Sequence, residues 1–211
     1  MIFRLDERLL FPDPALAEED GLLAVGGDLS AERLLLAYEN GIFPWYGDDM
    51  PIMWYSPHER FVLYPAALKV SKSMRRILTT GSFTVTLNTA FADVIAACST
   101  APRDGQDGTW ITTEMMDAYI GLHEKGHAHS VEVWQGGSLV GGLYGIAVGS
   151  VFCGESMFSK ASNASKTALV SLCQSRNYKL IDCQVYTAHL ESMGAVMISR
   201  EEYMQALRNT D

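Results

Sequence analysis

The pattern of hydrophobic and polar positions changes character near residue 60. Before it no period is sustained, because Pro12, Pro14, Gly26, Gly27, Pro44, Pro51 and Pro57 break the chain into short segments. One helix fits there. Ser30 can cap it, Leu34, Leu35 and Tyr38 supply its apolar contacts, and Asn40-Gly41 is a left-handed stop. Two aromatic runs follow, Phe43-Pro44-Trp45-Tyr46 and Trp54-Tyr55. From Phe61 onward the pattern is regular. It predicts a helix over about 71–78, a strand over 83–87, and a helix capped by Asn88 and running to Cys98. A mobile loop is expected over 99–108, then a helix over 113–125 that stops at Gly126. Three strands follow, over 130–134, 139–148 and 150–158, the first two joined by a Gly136-Gly137 hairpin turn. A helix over 163–174 and a strand over 179–185 complete the series.

A helix, three strands, a helix and a strand form an α+β (mixed α/β) unit with a largely antiparallel central sheet flanked by helices. In element order this resembles the GNAT acyltransferase fold. The expected organisation is a small N-terminal domain over 1–60 and a GNAT-like catalytic domain over 61–211.

Composition narrows the function classes. The 211 residues are 48% hydrophobic and 19% charged, enough to bury a full core. The start MIFRLDERLL has acidic residues where a secretory signal needs an apolar stretch, and no run approaches the roughly 20 apolar residues of a membrane span. A cytoplasmic location is expected. Cys98, Cys153, Cys173 and Cys183 are scattered without a C-x-x-C pair, as reduced thiols would be. With a net charge of -9 the chain repels polyanions, so any nucleic acid must dock on a local basic patch. Lys69, Lys72, Arg75 and Arg76 form one. At spacings of three and four, Lys69, Lys72 and Arg76 share a helix face, which solvent alone also explains.

Several strings carry candidate chemistry. HEKGH, from His123 to His127, spells the zinc-protease pattern, but Gly126 ends the helix between the histidines, so no metal is expected. An acetyl-coenzyme A site would be expected to place a glycine-rich turn before the helix at 163, and that stretch reads FSKASNASKTAL. A small-molecule N-acetyltransferase is therefore the alternative reading, not the first. Glu155 sits among apolar and small residues in FCGESMF, where an ionised carboxylate needs a partner. Asp182 and Gln184, two apart on a short strand, point to one face. If their strands neighbour that of Glu155, three polar groups converge in an apolar wall; a solvent-facing strand end with an ordinary ion pair fits the pattern equally well. Trp45 and Trp110, in turn-rich segments, suit either core packing or stacking on a base.

Taken in order, GLLAVGGDLS, GIFPWY, MWYSPHER, GTWIT, HEKGHAHSVEVW, GGLYG, FCGESMFS, NASKTAL and KLIDCQV resemble the leucyl/phenylalanyl-tRNA–protein transferase family from about Gly21 to Val185. That resemblance implies transfer of Leu or Phe, less well Met, from Leu-tRNA or Phe-tRNA to the α-amine of acceptor proteins beginning with Arg or Lys, which creates an N-degron for proteolysis. It implies no cofactor. It places Trp45 and Trp110, with Tyr38, at the tRNA 3′-terminal adenosine, and Leu143, Phe152, Leu169, Leu172 and Ile181 around the aminoacyl side chain. Lys72 and Arg76 match the acceptor-stem patch, to which Lys69 and Arg75 add charge. Glu155, Gln184 and Asp182 are the expected catalytic set. Gln184 would orient the incoming amine through its amide oxygen, and Asp182 would fix that amide.

Overall fold

The computed structural model describes residues 1–102 and 109–209, so most of the loop expected over 99–108 lies outside the described residues. A first sheet comes from the irregular N-terminal region. Its strands β1 (Phe3–Leu5), β2 (Leu22–Gly26), β3 (Phe43–Pro44) and β4 (Met53–Tyr55) lie in the order β1-β2-β4-β3. None is longer than five residues, and prolines and glycines interrupt the pattern between them. The one helix expected there is α1 (Ala31–Glu39): the Ser30 hydroxyl accepts the Arg33 N–H, and Gly41 takes the left-handed stop at φ 67.

The remaining elements are β5 (Glu59–Leu63), α2 (Lys72–Thr79), β6 (Thr84–Leu87), α3 (Phe91–Ser99), α4 (Thr113–Glu124), β7 (Ala128–Gln135), β8 (Ser138–Val148), β9 (Val151–Ser159), α5 (Ala164–Gln174), β10 (Leu180–Gln184), α6 (Ala188–Ser192), β11 (Val196–Ser199) and α7 (Arg200–Arg208). Their strands form one sheet in the order β11-β5-β10-β9-β8-β7-β6. The architecture is the mixed α/β one expected. Every neighbouring pair is antiparallel except β9 with β10, which α5 joins as a crossover. The hairpin between β7 and β8 turns on Gly136 and Gly137, both at positive φ.

Alternation along β9 feeds two cores. Val151 and Cys153 enter one, shared with α1, α3, α4, α7 and the first sheet; Phe152 enters the other, under α5. Helix α5 presses so closely on β8 that a Cβ at Gly141 would stand 2.5 Å from that of Ala164.

Three expectations need correcting. Asn88 does not cap α3: it sits at φ 58 in the turn after β6, where its side-chain oxygen accepts the Ser130 N–H at 2.9 Å, and α3 starts only at Phe91. The turn before α5 needs no glycine, since Asn163 adopts φ 69 itself. Lys69 is not on a helix face with Lys72 and Arg76, because α2 begins at Lys72 and the Lys69 N–H is held by the Met193 carbonyl at 2.8 Å. Strands β5 and β11 and helices α6 and α7 were not anticipated from the sequence.

Candidate active site

Parallel pairing of β9 with β10 lasts three residues and ends at Cys153 opposite Asp182. Immediately beyond that point both strands bulge. On β9, Gly145 faces Gly154 and Tyr144 faces Ser156, so Glu155 is the extra residue. On β10, Val62 faces Asp182 and Phe61 faces Gln184, so Cys183 is the extra residue, and Gln184 takes φ 60. Simple alternation does not survive in the stretch where Asp182 and Gln184 were expected to share a face. The bulges nonetheless join all three polar groups. The Gln184 side-chain amide donates to Glu155 Oε1 at 2.8 Å, and the Gln184 backbone N–H donates to Asp182 Oδ1 at 2.8 Å. The expectation was that Asp182 fixes the Gln184 side-chain amide; it instead holds the Gln184 main chain.

The two carboxylates have different surroundings. Asp182 is fully buried against Arg60, whose Nη2 and Nε reach Asp182 Oδ2 at 2.7 and 3.2 Å. The guanidinium lies between the rings of Phe43 and Tyr203, 4.8 and 4.5 Å from their centroids, and donates to the Gly41 carbonyl at 3.2 Å. Burial opposes the Arg60 charge, but Asp182 and then Tyr203 outweigh it and hold its pKa above the ordinary value. Glu155 has no cation within bonding distance among the described residues. It accepts from Gln184 and from the Tyr119 hydroxyl at 3.2 Å, and Tyr119 is hydrogen-bonded to Tyr38. Burial pushes the Glu155 carboxyl up to about 7, with the donors from Tyr38, Gln184 and Tyr119 pulling the other way.

A cavity of about 280 Å3 opens beside Glu155, and all five expected pocket residues line it: Leu143, Phe152, Leu169, Leu172 and Ile181. Small-ligand sites run from roughly 300 to 1,000 Å3, so this one suits a single side chain better than a nucleotide cofactor. Its apolar walls are turned by α5, one face of β9 and β10, and Leu190 of α6.

Trp45 follows β3 with its ring edge-on to Tyr55 and is 41% exposed. Trp110 is half-buried against the core. Their segments meet, since Tyr46 lies beside Thr112, the residue that caps α4. Tyr38 differs from both: at 1% exposure it offers no ring face to a base, and its hydroxyl belongs to the Glu155 network. Lys72, Arg75 and Arg76 project from α2 into solvent, and among the described residues none of them, nor Lys69, forms an ion pair. The HEKGH string is split as expected, with α4 ending at Glu124 and Gly126 at φ 83.

Arg60 and Tyr119 were missed as site residues. Arg60 stood in the string MWYSPHER without a role of its own; an arginine directly before the apolar run Phe61-Val62-Leu63 was the available signal. Tyr119 had none, because only α4's position against β9 brings it to Glu155.

The family model described as leucyl/phenylalanyl-tRNA protein transferase matches residues 62–208, and that of the same family's N-terminal domain matches residues 27–58. A protein from Syntrophobacter fumaroxidans named leucyl/phenylalanyl-tRNA–protein transferase is 58% identical over 209 residues, 98% of this chain and 89% of its own length. One of the same name from Flavobacterium johnsoniae is 54% identical over 211 residues, 99% of this chain and all of its own. Among solved structures, one titled as FemX aligns with a TM-score of 0.49 at 10% identity, covering 80% of this chain and 66% of that one. A GCN5-related N-acetyltransferase from Kribbella flavida aligns with a TM-score of 0.39 at 11% identity, covering 76% and 58%. A family model over most of the chain, and relatives more than half identical along nearly all of it, show that this chain belongs to the leucyl/phenylalanyl-tRNA–protein transferase family and is an aminoacyltransferase.

Proposed function

We propose that this enzyme moves Leu or Phe, and Met less well, from aminoacyl-tRNA to the α-amine of proteins that begin with Arg or Lys, in the cytoplasm, and so creates an N-degron. The observation that carries the reading is the placing of Glu155, held by the Gln184 amide, in the lining of an apolar cavity sized for one side chain. The aminoacyl side chain fills that cavity and sets the ester carbonyl at its mouth. Trp45 and Trp110 take the 3′-terminal adenosine, and α2 takes the acceptor stem. No helix among the described residues is long and apolar enough to cross a membrane.

The chemistry needs an uncharged amine, an oriented attack and a destination for the proton. With a pKa near 7, Glu155 is part ionised at neutral pH and can accept a proton from the incoming ammonium. The Gln184 amide oxygen accepts a hydrogen bond from the amine and aims its lone pair at the carbonyl carbon. A carbon–nitrogen bond forms, the ester carbon–oxygen bond breaks, and the tRNA leaves with its ribose hydroxyl restored by a proton.

Labelled Leu-tRNA mixed with the enzyme and two peptides, one starting with Arg and one with Asp, tests this directly. Label should move to the Arg-starting peptide alone. Label that stays on the tRNA, or moves to both peptides equally, would overturn the reading.

A further inference from the structure

Beside the aminoacyl cavity lies a second, smaller cavity, of about 210 Å3, lined by Lys69, Val70, Ser71, Met74, Lys166, Ser192 and Met193. The two cavities are separated by single helical turns. On α5, Lys166 faces the small cavity, while Leu169, three residues on, faces the aminoacyl cavity. On α6 and the residue after it, Ser192 and Met193 face the first while His189 and Leu190 face the second. Lys166 is close enough to His189 to disfavour its protonated form, after burial.

The small cavity has the chemistry of a phosphate site. Two lysines line it from different walls, Lys69 from the segment before α2 and Lys166 from α5, and the hydroxyl residues Ser71 and Ser192 stand with them. Among the described residues no carboxylate lines it, in a chain with a net charge of -9. Among the described residues neither lysine has an ion-pair partner. Two like charges lining one recess without an ion-pair partner repel each other, and a bound anion relieves that. The opening adjoins the first turn of α2, whose exposed Lys72, Arg75 and Arg76 continue the positive surface outward.

We propose that this recess binds a backbone phosphate of the tRNA acceptor end, with Lys166 as its inner ligand, so that the RNA is gripped between α2 and α5 instead of lying on α2 alone. The proposal rests on the transferase reading above for the identity of the RNA, and it adds a residue that neither the basic patch nor the pocket contains. Phosphate contacts fix register without reading sequence. One such contact a helical turn from the aminoacyl cavity sets how far the aminoacyl ester reaches in.

Lys166→Ala should weaken aminoacyl-tRNA binding by about fivefold to tenfold near physiological salt and reduce the slope of log affinity against log salt by about one. Lys166→Arg should restore both. Transfer from aminoacyl-adenosine, a donor without a phosphate, should proceed at the wild-type rate, which also shows that the variant is folded. An unchanged salt slope in folded Lys166→Ala, or equal loss with the phosphate-free donor, would overturn the proposal. Because RNA binding is read apart from transfer, a wild-type protein that binds aminoacyl-tRNA but transfers nothing would sink the transferase reading, while the salt slope would still decide the recess.

Discussion

Asp182 and Glu155 are buried carboxylates on adjacent parallel strands, and both touch Gln184, yet their surroundings prepare them for different work. Asp182 faces a guanidinium at 2.7 Å, which is itself locked between two rings and a carbonyl. Among the described residues Glu155 faces neutral donors, two of them tyrosines whose own pKa values burial and then Glu155 raise well above the ordinary value. A carboxylate bonded to a locked guanidinium is a fixed support; one held by neutral donors in a dry site can gain or lose a proton near neutral pH. On the function proposed above, the Arg60–Asp182 side serves as support and the Glu155 side handles the proton.

The sharpest way to break that contrast is to remove the counter-charge. Arg60→Ala leaves Asp182 buried and unpaired and should cost about 3–5 kcal/mol of stability in denaturant unfolding. Adding Asp182→Ala should recover part of the loss, and strict additivity of the two would deny the coupling. On the other side, Glu155→Gln should lower the turnover number at least ~100-fold while leaving aminoacyl-tRNA affinity nearly unchanged, since general-base catalysis contributes factors of this order. A collapse of affinity instead would move Glu155 from proton handling to substrate binding.

The same substitution carries a signed pH test. The folded pKa of Glu155, about 7, lies above its ordinary 4.5, so the folded state holds an extra proton between those values. The stability this confers is full below pH 4.5 and is lost as pH rises toward 7, by up to about 3 kcal/mol. Thermal unfolding of Glu155→Gln should therefore lack that decline and, at pH 8, exceed the wild type. Activity runs the other way: wild-type kcat/KM should rise with pH and level off above about 7, and a flat profile would contradict an ionised Glu155.

A smaller effect is expected where no charge is involved. Leu169→Ala enlarges the aminoacyl cavity and should lower transfer of Leu relative to Phe by roughly tenfold in a competition of the two labelled donors, the scale on which hydrophobic pockets discriminate. The smallest is at the surface. Lys72→Ala with Arg76→Ala should reduce the salt slope of tRNA binding by about two, with the rate from saturating donor unchanged.

How much of this was legible beforehand differs by element. The segments with long periods, α4, β7, β8 and α5, were placed within two residues, because burial of one face along eight or more residues leaves a repeat in the sequence. The first sheet was not legible, since its strands of two to five residues are set among the prolines and glycines that interrupt the pattern before residue 60. Helix α7 and strand β11 escaped notice too, although Ser199 and Glu202 spell a capping box that the structure forms. At the site, the pocket residues and the group Glu155, Asp182 and Gln184 were named from sequence strings, and the structure gathers them. Tyr38 was named with the exposed tryptophans and lies in the core, a difference that no local pattern encodes.

The sequence by itself determined the alternation of β7, β8 and β9, the capping of α1, the split of HEKGH at Gly126 and, through the ordered strings, the family. Those depend on neighbours along the chain or on residue identity alone. Only the tertiary structure decided that β9 and β10 bulge side by side, that Asp182 holds the main chain of Gln184, that Arg60 is its counter-ion from 122 residues away, and that Glu155 is left among neutral donors. Charge state in a buried site depends on what is packed around the group, and in this protein those neighbours come from α1, α4, β5, β10 and α7 at once.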